Sequence, residues 1–215
     1  MYPLTTRVLA QPETALELTP EAWTRLVLEA RSIGLAGRLG ARLAKCGLLD
    51  SIPDGPRRHL EGMARYASKQ HTDVLREVRL VRDTLAQSQV PVVLMKGAAY
   101  VVAQQAAAEG RIFEDIDLLV PEERIDAAEK TLVAAGWTRP HLSLHDTRYY
   151  YEWMHQIPPL VHNQRGSVLD VHHSIVPRTA RPRIYPAMLV CAAVPTAEQG
   201  VYTLGPTDLF LHSAL

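Results

Sequence analysis

The amino-acid sequence predicts an α+β fold, in which a helical region precedes a mixed β-sheet core flanked by helices. Three observations lead to this prediction. Apolar side chains recur at helical spacing over residues 1–89, short strands and helices alternate after Val90, and further strand-like runs continue to Ile175. We therefore expect an N-terminal helical region over residues 1–89, the α/β core over 90–176, and a loop with the start of a C-terminal helix over 177–215. That last helix has no cap, which is consistent with a truncated chain or a frayed end.

Composition indicates a globular protein. The 215 residues are enough to bury a core, and the 47% hydrophobic and 21% charged residues are close to ordinary usage. The 23 basic and 23 acidic side chains cancel, so net charge does not indicate a nucleic-acid partner, although a local site remains possible. Isolated Cys46 and Cys191 match neither a zinc site nor a disulfide scaffold. With no signal-peptide core and no run of eighteen apolar residues, we expect a cytoplasmic protein without a membrane partner.

The first region begins with two short helices. Thr19 can cap a helix that has Pro20 at its first position and continues to about Arg31. A second helix is expected over Leu35–Cys46, with Gly47 as its stop. The glycines nearby follow no strand and lack the spacing of a dinucleotide-binding loop, so they predict close helix packing: Gly34, Gly37 and Gly40.

A long amphipathic helix follows the turn at Ile52–Pro56. Its apolar side chains form one stripe, which predicts that this helix covers the elements that follow. The stripe comprises Leu60, Met63, Ala64, Ala67, Val74, Leu75, Val78 and Leu85.

The core begins at Val90, where the sequence changes to short apolar runs typical of buried strands. Strand, helix, strand and helix are predicted in turn over Pro91–Met95, Ala98–Ala108, Asp115–Val120 and Glu122–Ala135, and Gly136 ends the last helix. Three further strands are expected, with a turn at Gln164–Gly166: Arg148–Trp153, Leu160–His162 and Ser167–His173. Residues 177–205 are rich in proline and predict loop with one short helix, before the helix that starts at Thr207.

Two acids within one strand give the first chemical signal. Asp115 and Asp117 are two residues apart, so both carboxylates project from the same strand face. Like charges this close raise each other's pKa, and a divalent cation between them removes that repulsion. The alternative is that one aspartate caps the neighbouring turn and the other is solvated.

A third acid lies in a later strand. Asp170 and His172 share one face of Ser167–His173, and an aspartate inside a strand is unusual because a buried charge needs a partner. If this strand lies beside that of Asp115, the three acids converge into a site that suits Mg²⁺ or Mn²⁺. A zinc site is the competing hypothesis. It would combine Asp170 with histidines, namely His155, His162, His172 and His173.

The turn after the first strand is a candidate phosphate site. Gly97 lets backbone approach a ligand, Ala98 begins a helix with free N–H groups, and Lys96 adds positive charge. Arg111 lies four residues before Asp115 and could reach the same anion. A simple strand-to-helix turn with Gly97 at positive φ is the structural alternative.

These motifs together resemble the nucleotidyltransferase superfamily typified by DNA polymerase beta, and most closely its uncharacterised bacterial branch. The resemblance covers Val90–Ile175 and rests on three motifs in order: Lys96-Gly97-Ala98-Ala99, Arg111-Ile112-Phe113-Glu114-Asp115-Ile116-Asp117-Leu118-Leu119-Val120, and Asp170-Val171-His172.

The resemblance implies a nucleotidyltransferase-like fold and a two-metal displacement at the α-phosphate of a nucleoside triphosphate such as ATP. Asp115, Asp117 and Asp170 would be catalytic and would hold Mg²⁺ or Mn²⁺, with Asp170 at the attacking hydroxyl. The nucleotide would be bound by Lys96, Gly97, Ala98, Arg111 and His172.

The predicted function is transfer of a nucleoside monophosphate to a hydroxyl of an unknown small molecule, protein or RNA. Two alternatives remain at this point. A non-catalytic nucleotide-binding or regulatory module, such as a toxin–antitoxin or biosynthetic accessory protein, would keep the fold without turnover. A metal-dependent phosphodiesterase would use the same acids with water as the nucleophile.

Overall fold

The computed structural model describes residues 3–139, 149–150, 153–181 and 184–214. The chain divides into two compact units, of which the first comprises Met1–Asp73 with Ala106–Phe113 and the second comprises Val74–Gln105 with Glu114–Leu215. One long helix contributes residues to both units. The sequence predicts three consecutive segments, whereas each unit combines two separate stretches of the chain. The predicted segment boundaries therefore stay a prediction.

The first unit is helical, as predicted. Its helices are α1 (Leu4–Ala10), α2 (Pro20–Ser32), α3 (Ala36–Lys45) and the first part of α4 (Asp54–Ala86), with 3-10 turns at Pro12–Glu17, Leu49–Ser51 and Ala106–Ala108. The side chain of Thr19 caps α2, because its hydroxyl accepts a hydrogen bond from the Ala22 N–H at 3.3 Å. Gly47 follows α3 with φ 69°, a conformation that favours glycine and ends the helix.

Close packing through glycine is confirmed in this unit. A Cβ added to Gly37 would lie 2.5 Å from the carbonyl oxygen of Gly110, and one added to Gly40 would lie 2.5 Å from that of Leu60. Both positions therefore require the absence of a side chain. Gly34 has a different role, because it adopts φ 69° after α2 and faces open space.

The second unit contains a mixed seven-stranded sheet among its described residues, which confirms the predicted α+β class. The strands are β1 (Val92–Met95), β2 (Asp115–Leu119), β3 (Trp137–Thr138), β4 (Leu160–His162), β5 (Val168–His172), β6 (Val194–Pro195) and β7 (Val201–Thr203). They lie in the order β3-β4-β5-β2-β1-β7-β6. β2 runs parallel to β5 and β1 parallel to β7, whereas the other neighbours are antiparallel.

Helices flank this sheet in the sequence: α5 (Lys96–Val102), α6 (Ile125–Ala134), α7 (Pro186–Cys191) and α8 (Pro206–Ala214), with the second part of α4 in the same unit. Three of these agree with the predicted helices. α5 differs, since it starts two residues before the predicted Ala98 and ends at Val102 instead of Ala108. Lys96 takes φ 46° and begins the helical turn directly after β1.

Two strand predictions are wrong. Residues 177–205 were expected to hold no strand, but β6 and β7 lie there and β7 pairs with β1 inside the sheet. Three residues are too few to give a period-2 signal in a proline-rich segment. In the predicted strand Arg148–Trp153, Tyr149 and Tyr150 are helical, and the Trp153 N–H donates to the Tyr149 carbonyl at 3.1 Å. Arg148, Tyr151 and Glu152 lie outside the described residues.

No helix in the described part of the chain is both long enough and apolar enough to cross a bilayer.

Candidate metal centre

The register of the sheet brings the chemical residues together. In the parallel pair β2 and β5, Asp117 lies directly beside Asp170, and in the antiparallel pair β1 and β2, Met95 lies opposite Asp117. β1 ends at Met95, so Lys96 emerges next to the same aspartate. Asp117 is buried at 2% exposure and His172 is fully buried, whereas Asp170 is half-buried.

Asp117, Asp170 and His172 form a compact cluster, which we call the acid–histidine group. One potential ligand atom from each of the three lies within 4.8 Å of the others. His172 Nε2 is 2.9 Å from Asp117 Oδ1, and Lys96 Nζ donates to the same oxygen at 2.7 Å. Two carboxylates and an imidazole are a donor set that could hold a divalent metal ion.

Two buried polar atoms of this group have no hydrogen-bond partner in the described part of the chain. Gln156 donates its Nε2 hydrogen to Asp170 Oδ2 at 3.1 Å, but Asp170 Oδ1 is buried with no hydrogen-bond partner in the described part of the chain. The same holds for His172 Nδ1. A buried polar atom without a partner is costly, and such exceptions require an explanation. A cation or ligand that reaches these atoms would supply one.

The pKa values of the two aspartates in the group are shifted in opposite directions. Burial alone would raise the pKa of Asp117, but hydrogen bonds and charges from His172 and Lys96 outweigh it, so this pKa lies below its usual value. Burial raises the pKa of Asp170, and the charges of Asp115 and Asp117 raise it further against an opposing effect of His172. The pKa of Asp115 is raised as well, by burial and by the charge of Asp117. A divalent cation would relieve this repulsion.

Of the three aspartates predicted to hold metal, two belong to the acid–histidine group and Asp115 does not. Asp115 precedes Asp117 on β2 and acts on Asp170 through its charge, yet it does not belong to the group whose ligand atoms lie within 4.8 Å. His172 does belong to that group, although the sequence analysis assigned it to the nucleotide. The roles of Asp115, Asp117 and Asp170 as metal ligands remain proposals.

The candidate phosphate turn has a geometry of its own. The positive φ expected at Gly97 occurs instead at Lys96, and Gly97 and Ala98 are buried in the first turn of α5. The Lys96 side chain is 43% exposed while its amine contacts Asp117. Arg111 belongs to the first unit, where its carbonyl oxygen lies 2.9 Å from His71 Nε2. Its contact with a nucleotide stays a prediction.

The histidines named for a zinc site are distributed over different environments. The His155 ring lies 5.1 Å from the His172 ring, between centroids, and the backbone N–H of His173 donates to the His155 carbonyl. His162 Nδ1 accepts hydrogen bonds from two backbone N–H groups, and its ring packs edge-on against Trp137. Of these four, His172 alone joins the two aspartates in the compact group within the described chain.

Two residues near the group were not found by sequence reasoning. Gln156 orients Asp170, and His212 on α8 is buried among the charges of Lys96, His172 and Asp117. Neither residue belongs to a motif, and both come near the acid–histidine group through contacts between residues that are far apart in the chain. A lone histidine in an amphipathic segment gives no signal that separates it from a core residue.

The fold and the cluster define a mixed α+β protein with a carboxylate–histidine group that could hold a metal ion. The chain belongs to the family described as "Uncharacterised nucleotidyltransferase", whose model matches residues 19–215. No curated protein and no solved structure matches the chain significantly. The family assignment confirms the resemblance drawn from the three sequence motifs.

Proposed function

We propose that this protein transfers a nucleoside monophosphate from a nucleoside triphosphate, with ATP as one candidate, to a hydroxyl group of an acceptor. The acceptor would be a small molecule, a protein or an RNA. The convergence of Asp117, Asp170 and His172 in a chain of the nucleotidyltransferase family supports this function most directly. The reaction would form a bond between the acceptor oxygen and the α-phosphorus, and would break the bond from that phosphorus to pyrophosphate.

The donor set suits a hard divalent cation. The acid–histidine group offers carboxylate oxygens, and one of them, Asp170 Oδ1, is buried without a partner among the described residues. Asp115, Asp117 and Asp170 would hold Mg²⁺ or Mn²⁺, which prefer oxygen ligands. When bound, such ions neutralise the charge that develops on the phosphate oxygens.

Asp117 and Asp170 would have different roles in the reaction. Asp117 is held ionised by Lys96 and His172, which keeps one carboxylate charged and fixed in position. Asp170 would accept the proton of the attacking hydroxyl at the carboxylate oxygen that does not contact the metal ion. The proton would then pass to solvent, and pyrophosphate would leave.

The nucleotide phosphates would lie at the start of α5. Lys96 is exposed enough to exchange its contact with Asp117 for one with a phosphate oxygen. The backbone at Gly97 and Ala98 would approach the same phosphates. A contact of Arg111 with a nucleotide stays a separate proposal. His172 would serve the nucleotide indirectly through its contact with Asp117.

A transfer assay tests this function directly. The protein is incubated with labelled nucleoside triphosphates, Mg²⁺ or Mn²⁺, and pools of small molecules, proteins or RNA. Mass spectrometry should detect an acceptor that gains one nucleoside monophosphate, together with released pyrophosphate. Release of the nucleoside monophosphate to water in every pool would contradict transfer and favour a phosphodiesterase. Tight nucleotide binding without any product would favour a non-catalytic module.

A metal-binding measurement tests the acids separately. Asp117 lies in the acid–histidine group and Asp115 is its partner on β2, so the double variant Asp115→Asn, Asp117→Asn should lose Mn²⁺ binding in calorimetry. The loss should exceed the roughly 10- to 100-fold that follows removal of an outer-shell partner. Asp126→Asn, an exposed acid on α6 of the same unit, is the matched control and should bind Mn²⁺ normally. Parental affinity in the double variant would remove these acids from the site.

A further inference from the structure

His212 is a buried imidazole that the proposed chemistry leaves unused. It lies on α8 with 7% of its surface exposed, and its Nδ1 has no hydrogen-bond partner in the described part of the chain. A polar nitrogen in this position reduces stability unless a partner reaches it. Leucine or phenylalanine could fill this position without the cost of burying an unpartnered nitrogen.

The packing of α8 places this imidazole near the lysine turn. Ser213, the next residue, hydrogen-bonds the hydroxyl of Tyr100 on α5, and α5 is the helix that begins at Lys96. The charges that act on His212 are those of Lys96, His172 and Asp117. His212 is therefore close to the side of the acid–histidine group from which Lys96 approaches Asp117.

The imidazole is neutral near pH 7. Burial and, to a smaller extent, the positive charge of Lys96 lower the pKa of His212 to about 4, against a smaller opposing effect of the Asp117 charge. A neutral imidazole carries one N–H donor and one acceptor nitrogen. It can thus donate a hydrogen bond to an anionic oxygen without adding a second positive charge beside Lys96.

We propose that His212 is a further residue of the nucleotide site, where its imidazole hydrogen-bonds a phosphate oxygen of the triphosphate held at Lys96. This inference rests on the proposed function, because it assigns a contact within the same nucleotide site. The ligand class follows from position, since α8 contacts α5, the helix that begins at the lysine that would meet the phosphates. A hydrogen bond to a charged oxygen is also stronger than one between two neutral groups.

The test compares two replacements of His212. His212→Leu fills a similar volume without any donor, whereas His212→Asn keeps an amide N–H donor at the same number of bonds from Cα as Nδ1. Calorimetry with Mg²⁺ and a non-hydrolysable ATP analogue should give an affinity for His212→Leu that is on the order of ten- to a hundredfold weaker than the parent's. His212→Asn should recover most of that loss. Mn²⁺ affinity without nucleotide should be unchanged in both.

Ser213→Ala is the matched control, because it removes the contact of α8 with Tyr100 while leaving the imidazole in place. It should bind the analogue with parental affinity. Parental affinity in His212→Leu, whatever its thermal stability, would overturn the inference. An equal loss in Ser213→Ala would also overturn it, since the effect would then come from docking of α8. If the parent itself fails to bind the analogue, the proposed function fails with it, and the parent measurement distinguishes this case.

Discussion

Two buried carboxylate sites of the second unit use their polar atoms in opposite ways. In the ion-pair cluster, formed by Glu77, Arg165 and Trp137, Arg165 Nε lies 3.0 and 2.9 Å from the two oxygens of Glu77, and Nη2 donates to Oε1 at 2.6 Å. The guanidinium also lies 5.8 Å from the centre of the Trp137 ring. In the acid–histidine group, Asp170 Oδ1 and His172 Nδ1 have no partner among the described residues.

The difference supports our proposal that the ion-pair cluster is a structural site and the acid–histidine group a functional one. A bidentate arginine–carboxylate pair satisfies both oxygens and fixes β4 and β5, through their connecting turn, to α4. In our proposal the acid–histidine group has buried polar atoms without a partner among the described residues, which would lower stability in exchange for the capacity to bind a ligand. The two sites should therefore respond to mutation in opposite ways, one in stability and the other in activity.

The largest expected effect on activity comes from Asp170→Asn. In the proposed reaction it removes the proton acceptor while Asp115 and Asp117 would still hold the metal ion of the triphosphate. Turnover should therefore fall on the order of a hundredfold or more, with nucleotide affinity kept within roughly tenfold. The melting temperature should stay level or rise, because a poorly partnered buried carboxylate is lost. Single-turnover rates with the identified acceptor, a nucleotide dissociation constant and thermal unfolding measure all three. Parental turnover would remove Asp170 from the site.

The converse experiment is Glu77→Gln in the ion-pair cluster. It leaves the Arg165 guanidinium without its charge partner, and the free energy of unfolding should fall by about 2–3 kcal/mol, somewhat less than for a fully buried pair because Arg165 is partly exposed. Mn²⁺ affinity should be unchanged. Glu198→Gln breaks the exposed pair with Arg79 and serves as the control, with a much smaller loss. Denaturant unfolding measures both, and a loss of Mn²⁺ binding in Glu77→Gln would contradict the division between the two sites.

Much of the site could be predicted from the sequence because its signals are local. The spacing of Asp115 and Asp117 fixes their shared face, and the same alternation groups Asp170 with His172. The pairing of Asp117 with Asp170 could only be stated as a condition, since it depends on two strands far apart in the chain lying side by side. The structure meets that condition in parallel register.

The remaining features depend on tertiary contacts that leave no local pattern. The positive φ of Lys96 is the clearest case, because glycine is the residue expected in that conformation and Gly97 stands next to it. β7 is too short to be recognised, and it is defined by its pairing with β1. Gln156 hydrogen-bonds Asp170, and His212 lies on a helix that contacts α5. Both belong to segments with no motif, so only the tertiary structure reveals them.

The smallest expected effect concerns Gln156, which tests whether orientation of the acids matters. Its Nε2 donates to Asp170 Oδ2, and its backbone forms an isolated antiparallel bridge with His172, so it contacts two members of the acid–histidine group. Gln156→Leu removes the side-chain contact but keeps the backbone bridge. Turnover should fall by roughly tenfold, the lower range for loss of an outer-shell partner, while nucleotide affinity stays near the parental value.

A double-mutant cycle distinguishes this positioning role from a general loss of structure. If Gln156 acts through Asp170, Gln156→Leu should lower turnover in the parent and cause little further loss in the Asp170→Asn background, because the group it orients can no longer accept the proton. Two variants with additive losses would contradict that coupling, and Gln156 would then affect the site by another route. A Gln156→Leu protein with a parental rate would place the control of Asp170 entirely in the backbone pairing of β2 and β5.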